Sequence, residues 1–136
     1  MRSRSELRDI IVKVLYQKYI YDSNNIKYDI KKIIKDNIKE DNDFVYGCIN
    51  GIIDNEKALI DLANKYLKNW NVDRLGKVDK AILLLGIYEI VYTDTPDIVC
   101  INEALELSKK YSDLDVTKMI NGVLDNIYHS EEQNGW

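Results

Sequence analysis

The sequence is poor in the residues that build disulfide frameworks, turns and membrane spans. Its 136 residues include two cysteines, one proline and six glycines. Because Cys48 and Cys100 lie far apart, a disulfide framework is not expected, and two thiolates are too few for a structural zinc site. The longest apolar run, Ala81 to Tyr88, is too short to span a bilayer. No apolar signal segment follows Met1, so the sequence predicts a cytoplasmic protein with no membrane partner.

Residue patterns typical of enzymes are also missing. The single histidine, His129, lies at the end of the last predicted helix beside a polar tail. The sequence has no P-loop, no glycine-rich dinucleotide fingerprint, no nucleophile elbow and no Glu-x-x-His pair. Glu103 and Glu106 share a helix, but Glu106 can pair with Lys110 four residues later and Glu103 suits the start of a helix. We therefore expect no catalytic residues, no metal site and no cofactor.

What the chain does contain is enough apolar sequence for one compact domain, together with an uneven distribution of charge. Hydrophobic residues make up 46% and the formal net charge is −4. Residues 1–39 carry ten basic and five acidic groups, whereas residues 40–136 carry nine and eighteen. A basic amino-terminal part on an acidic body can hold a polyanion at one end and a basic protein at another, or it is ordinary solvated helix surface.

Apolar residues at helical spacing, without a convincing alternating strand, predict an all-α bundle of six or seven helices. The predicted helical stretches begin at about residue 5 and then cover about 26–38, 44–68, 78–92, 95–111 and 113–129, with a connection at 69–76 and a tail over 130–136. A bend is expected near Asn55. Thr95 followed by Pro96 is typical of a helix start, and either Asp113 or Asp115 is expected to cap the last helix.

Two glycines lie one turn apart inside the third predicted stretch. Glycine within a helix costs about 1 kcal/mol relative to alanine. We therefore expect a neighbouring helix to approach closely at Gly47 and Gly51, so that packing compensates for this cost.

Five groups of residues stand in a characteristic order along the chain. They are Arg4…Arg8…Leu15-Tyr16-Gln17; Phe44…Gly47…Gly51; Trp70…Arg74-Leu75…Asp79-Lys80-Ala81-Ile82-Leu83-Leu84…Tyr88-Glu89-Ile90; Pro96 with Val99 to Tyr111; and Ile120 to Asp125. In this order and spacing they resemble the NusB family of bacterial transcription antitermination factors over nearly the whole chain. The resemblance implies one all-α, NusB-like domain over 1–136, with about seven helices in two small packed bundles at about 1–70 and 71–129.

The activity that the resemblance implies is binding without catalysis. Members of the family pair with NusE, a ribosomal small-subunit protein that doubles as a transcription factor, and the pair binds the single-stranded boxA element of ribosomal RNA leaders. The resulting complex keeps RNA polymerase from terminating prematurely. The expected partners are therefore boxA RNA, NusE and the RNA polymerase antitermination complex, and a homodimer that covers the basic face is left open.

The resemblance also implies two RNA-facing elements and one partner-facing set. The RNA-facing residues are Arg2, Arg4 and Arg8 at the amino terminus, and Asp115, Lys118 and Met119 at the start of the last helix. A guanidinium group can fork onto phosphate or stack on a base. The NusE-facing positions are Tyr16, Asp73 and Asp79, whose carboxylates can meet basic groups of the partner.

The chain departs from the family pattern at the predicted RNA site. Ser3 and Ser5 separate basic residues that are adjacent in many relatives, Glu6 adds a negative charge, and Met119 stands where relatives often have Phe. Fewer phosphate contacts imply weaker RNA binding. One alternative is therefore a NusB-like protein-interaction adaptor with little RNA affinity. Another is an accessory domain of the kind that some RNA cytosine methyltransferases carry, although we expect this chain to end too soon to hold a catalytic part.

Overall fold

The computed structural model describes the backbone of residues 2–133 and the side chains of residues 2–130. Within this part, the chain forms seven α-helices and one 3₁₀ turn and has no strand, which confirms the predicted all-α class. The elements are α1 (Arg4–Ser23), α2 (Ile30–Asn37), α3 (Asp43–Asp54), α4 (Glu56–Tyr66), the 3₁₀ turn (Val72–Arg74), α5 (Lys77–Tyr92), α6 (Asp97–Tyr111) and α7 (Leu114–Gln133). None of the described helices is both long and apolar enough to cross a bilayer.

The first helix begins at a capping box. The Ser3 hydroxyl accepts a hydrogen bond from the Glu6 backbone N–H at 3.1 Å, and the Glu6 carboxylate accepts one from the Ser3 backbone N–H at 3.2 Å. The two bonds satisfy N–H groups that a helix start leaves without partners. The same serine contacts hold the pKa of Glu6 below its usual value. Ser3 and Glu6, which stand among the amino-terminal arginines, therefore fix where α1 begins.

Several predicted boundaries shift by a few residues. The second helix begins at Ile30 rather than near Ile26, because Asp29 caps it, and Ile26 lies half exposed in the preceding loop. The third predicted stretch is two helices, with the break at Asn55 where a bend was predicted. Residues 130–133 of the predicted tail are helical, since α7 continues to Gln133, and residues 134–136 lie outside the described residues.

The two predicted helix starts in the second half of the chain have different outcomes. The start predicted at Thr95 and Pro96 lies within two residues of Asp97, the first residue of α6, but Pro96 takes the N-cap position and no side chain caps this end. Asp113 is the residue that caps α7, because its carboxylate accepts a hydrogen bond from the Val116 backbone N–H at 2.9 Å.

The centre of the fold is α5, which contacts α1, α3, α4, α6 and α7. Every residue from Ala81 to Ile87 is buried, as expected for a helix that is apolar nearly all round. Because α5 packs against helices from both halves of the chain, one core runs through the described residues. The division into bundles at about 1–70 and 71–129 stays a prediction.

The two glycines of α3 differ in what surrounds them. A Cβ atom at Gly51 would overlap the Tyr88 hydroxyl oxygen, so the predicted close approach of a neighbouring helix is confirmed there. A Cβ atom at Gly47 would meet no atom within 4 Å in the described structure. The same prediction is wrong for Gly47, because no neighbour occupies the space above it.

Candidate nucleic-acid and partner interfaces

Arg8, predicted to face RNA, is buried in an ion pair between helices. Its Nε donates to Glu89 Oε2 at 2.8 Å, its Nη2 donates to Glu89 Oε1 at 2.9 Å, and its Nη1 lies 3.3 Å from Glu103 Oε1. The side chains of Arg8 and Glu89 are only 4% and 1% exposed. Burial alone would lower the pKa of Arg8, but the carboxylate partners outweigh it and raise that pKa. In this position Arg8 joins α1 to α5 and α6, and its guanidinium group is not accessible to a phosphate.

The other two predicted arginines are exposed. The guanidinium carbon of Arg4 lies 4.0 Å from the centroid of the Phe44 ring, which is cation–π geometry. Arg2 pairs with Glu40 at 3.0 Å on the surface. Surface ion pairs are worth about 1 kcal/mol or less, so Arg2 can exchange Glu40 for a phosphate at small cost. Both residues stay predicted RNA contacts.

The second predicted RNA-facing element lies on the first turns of α7. Asp115 and Lys118 are exposed there, whereas Met119 is half buried and packs against the core. Within residues 2–130, no hydrogen bond, ion pair or ring contact joins these three side chains to Arg2 or Arg4. The role of this second element in RNA binding stays a prediction.

Tyr16 and Asp79, two predicted partner positions, lie beside one shallow groove. Tyr16 is 42% exposed and lines this groove of about 350 Å³ together with Val78 and Tyr111. Asp79 follows Val78 on α5 and accepts a hydrogen bond from the Ser112 hydroxyl. The structure thus brings Tyr16 and Asp79 to the place where α1, α5 and the end of α6 meet.

Asp73, the third predicted partner position, lies exposed in the 3₁₀ turn. It borders a second groove of about 290 Å³ that also contains Tyr19 and Asp22 of α1 and Lys80 of α5. Tyr19 lies one helical turn beyond Tyr16 on α1. The three predicted partner positions therefore lie along the boundary between α1 and α5, which we call the α1–α5 seam. Lys80 places a cation among the carboxylates of the second groove.

A further groove lies beside Arg4. It has a volume of about 650 Å³ and is bounded by α1, α3, α5 and the start of α6. Phe44 and Tyr88 supply its aromatic surface and Gly47 its open side. From the sequence, Phe44 and Tyr88 belong to the family pattern without a predicted role, whereas Gly47 was predicted to allow a neighbouring helix to approach closely. A glycine inside a helix was therefore the sequence feature that could have indicated this groove, because Gly47 lines it.

Other chemistry at these surfaces is limited. Among the residues that the structure describes, no group of three or more His, Cys, Asp or Glu side chains is placed to hold a metal ion. Cys48 and Cys100 are free and buried, and burial raises the pKa of each thiol to about 12. The described surfaces offer cations, carboxylates and aromatic rings, which are groups suited to binding.

Known proteins resemble this chain over almost its full length. The NusB family matches residues 5–129. A transcription antitermination protein NusB from Staphylococcus aureus is 42% identical over 126 residues, which covers 92% of this chain and 98% of that protein. The structure of T. maritima NusB superposes with a TM-score of 0.83 at 30% identity and covers 94% of this chain and 92% of that one. A crystal structure of the antitermination factors NusB and NusE in complex with dsRNA shares the fold, with a TM-score of 0.78, 24% identity and coverage of 96% and 98%.

Proposed function

Because the chain belongs to the NusB family, we propose that it is a transcription antitermination factor that binds boxA-type single-stranded RNA of ribosomal RNA leaders together with NusE. In this role it suppresses premature termination by RNA polymerase, acts in the cytoplasm and catalyses no reaction. The observation that carries the proposal is the family match across residues 5–129. The exposed cations at one end of the molecule and the carboxylates along the α1–α5 seam support it.

Arg2 and Arg4 are the amino-terminal residues that we assign to RNA. Both are exposed, and each guanidinium group can release its present neighbour for a phosphate or a base. Lys118 supplies a further exposed cation on α7. Arg8 has an indirect role in this proposal, because its pairing with Glu89 holds the amino-terminal half of α1 on the core and so positions Arg4 one turn earlier.

We assign the α1–α5 seam to NusE. Tyr16 offers a half-exposed ring, and Asp73 and Asp79 offer carboxylates that suit a basic ribosomal protein. The carboxylates set the rate and orientation of docking, whereas the tyrosine and the apolar groove beside it supply buried contact area.

One observation favours the alternative that the protein is a protein-interaction adaptor with little RNA affinity. With Arg8 buried, the exposed arginines of the described amino terminus are two, and Arg2 already has an acidic neighbour. An adaptor would bind NusE through the seam while its RNA contacts contributed little.

Fluorescence anisotropy of a labelled boxA-type RNA separates the two functions. The RNA is titrated with the full chain alone and with NusE at several salt concentrations, beside a scrambled RNA and the Arg4→Ala variant. Antitermination predicts that NusE strengthens binding, that the scrambled RNA binds worse and that Arg4→Ala flattens the salt dependence by about 0.7 in slope. If the NusE complex forms but does not distinguish boxA from the scrambled RNA, the protein is an adaptor.

A further inference from the structure

Gly47 occupies a helical position where no packing requirement explains a glycine. Glycine costs about 1 kcal/mol relative to alanine inside a helix. Gly51 needs the missing side chain because Tyr88 lies against it, but at Gly47 a Cβ atom would meet nothing within 4 Å among the described atoms. Gly47 instead lines the 650 Å³ groove. The absent side chain therefore keeps that groove open.

The groove has the size and the surfaces of a small-ligand site. Its volume lies within the range of about 300–1,000 Å³ that is typical of pockets for small ligands. Phe44 lines it with the Arg4 guanidinium group 4.0 Å from its ring centroid. Tyr88 lies on the other side, where its hydroxyl donates to the Gly47 carbonyl at 3.4 Å and its ring stacks on Tyr92 with centroids 5.5 Å apart. Unpaired bases stack on such aromatic rings and on guanidinium planes.

Carboxylates at the edge of the groove decide which part of a nucleotide can enter. Asp43 and Asp94 are exposed there, and no described residue forms an ion pair with either. Two carboxylates repel a phosphate but accept hydrogen bonds from the amino group of a base. The third carboxylate, Glu103, already accepts from the Ser5 hydroxyl at 2.6 Å and lies beside Arg8.

We propose that this groove binds one unpaired base of the RNA, a base with an exocyclic amino group, which stacks against Arg4 and Phe44 in the space left open by Gly47. The proposal rests on the proposed RNA-binding function and adds to it a base-binding subsite. Arg4 then has two contacts, since its guanidinium group stacks on the base and faces the adjoining phosphate. The occupant is part of an RNA because the groove is continuous with the exposed Arg4 that we assign to RNA.

Two substitutions at Gly47 test the proposal, because they fill the groove and are expected to leave the fold intact. Gly47→Ala adds a Cβ atom that meets no described atom within 4 Å, and Gly47→Leu extends a longer side chain from the same position into the groove. Both residues favour a helix over glycine, so both variants are expected to melt at or above the wild-type temperature. Ala58→Leu is the matched control, since Ala58 is an exposed position of α4 that does not line the groove. Each full-length variant is titrated, with NusE, against boxA-type RNA.

We expect Gly47→Leu to weaken RNA binding about tenfold, within the range that stacking of one base supports. Gly47→Ala is expected to weaken it less, and Ala58→Leu to leave it unchanged. An abasic scan identifies the base: one abasic position weakens wild-type binding about tenfold but weakens Gly47→Leu no further, because the two changes remove the same contact.

The outcomes separate this proposal from the proposed function. If wild type does not distinguish boxA from scrambled RNA, both fall. If wild type does so but Gly47→Leu binds equally well, or loses affinity with no coupling to a single abasic position, the base subsite is wrong and the function stands. If the coupled position is a uracil, the assigned class of base is wrong. If Gly47→Leu weakens NusE binding while RNA binding is unchanged, the groove belongs to a protein contact.

Discussion

Replacing Arg8 by methionine tests whether this arginine stabilises the fold or binds RNA. The substitution keeps much of the side-chain length but removes the guanidinium group, and it leaves the Glu89 carboxylate, 1% exposed, without its partner. Breaking a buried ion pair by removing one member costs about 3–5 kcal/mol. The entropy of unfolding expected for a chain of this length converts each kcal/mol into about 3–4 °C. Arg8→Met should therefore melt about 9–20 °C below wild type.

Thermal unfolding followed by circular dichroism measures this shift, and a double variant identifies its cause. Arg8→Met combined with Glu89→Leu removes both charges, and an apolar replacement of a buried pair is often close to neutral. We expect the double variant to recover most of the lost stability. Arg4→Met is the control, since Arg4 is exposed and its loss should shift the melting temperature by no more than about 3 °C.

RNA binding by the double variant completes the test. If Arg8 acts only by holding α1, the double variant binds boxA-type RNA with NusE close to wild type, whereas Arg4→Met binds it more weakly. Two results would refute the reasoning: a single Arg8→Met variant that melts within about 3 °C of wild type, or a stable double variant that binds RNA as poorly as Arg4→Met.

Two further predictions concern groups with shifted pKa values. Burial of Asp9 would raise its pKa, but hydrogen bonds from Tyr111 and two lysines outweigh burial and lower it. A carboxyl whose pKa is lower in the folded chain stabilises the fold at neutral pH and loses that effect in acid, so Asp9→Asn should cost about 1 kcal/mol at pH 7 in urea unfolding, with the difference shrinking below about pH 4. Because burial raises the pKa of Cys48 and Cys100 to about 12, both thiols should react with a disulfide reagent at pH 8 only as the protein unfolds, and rapid native-state labelling would contradict their placement.

The helices were predictable because each is specified by residues close together in sequence. A 3.6-residue apolar period predicts a helix. A bend was predicted near Asn55, and the structure has the break between α3 and α4 at that residue. The start of α2 was missed because Ile26 continues the apolar stripe, while the Asp29 cap and the exposure of Ile26 decide the boundary.

The roles of single residues were less predictable, because they depend on partners far along the chain. Arg4 and Arg8 are equivalent in sequence, one turn apart on the same helix. The residue that gives them different roles is Glu89, which lies 81 positions after Arg8 and forms a buried ion pair with it. Gly47 and Gly51 likewise look alike until Tyr88 is placed, since its ring contacts one and leaves the other open.

The central helix α5 also fixes the distance between the two proposed binding surfaces. Asp79, which we assign to the protein partner, lies in the first turn of α5. Glu89, which pairs with Arg8 and so anchors the end of α1 that we assign to RNA, lies near the last turn. Ten residues of helix at a rise of about 1.5 Å each separate them by about 15 Å. Because α5 is packed on several sides, this spacing is rigid. The surface that we assign to NusE and the end of α1 that we assign to RNA are therefore held at a fixed separation by one helix, whether or not either ligand is bound.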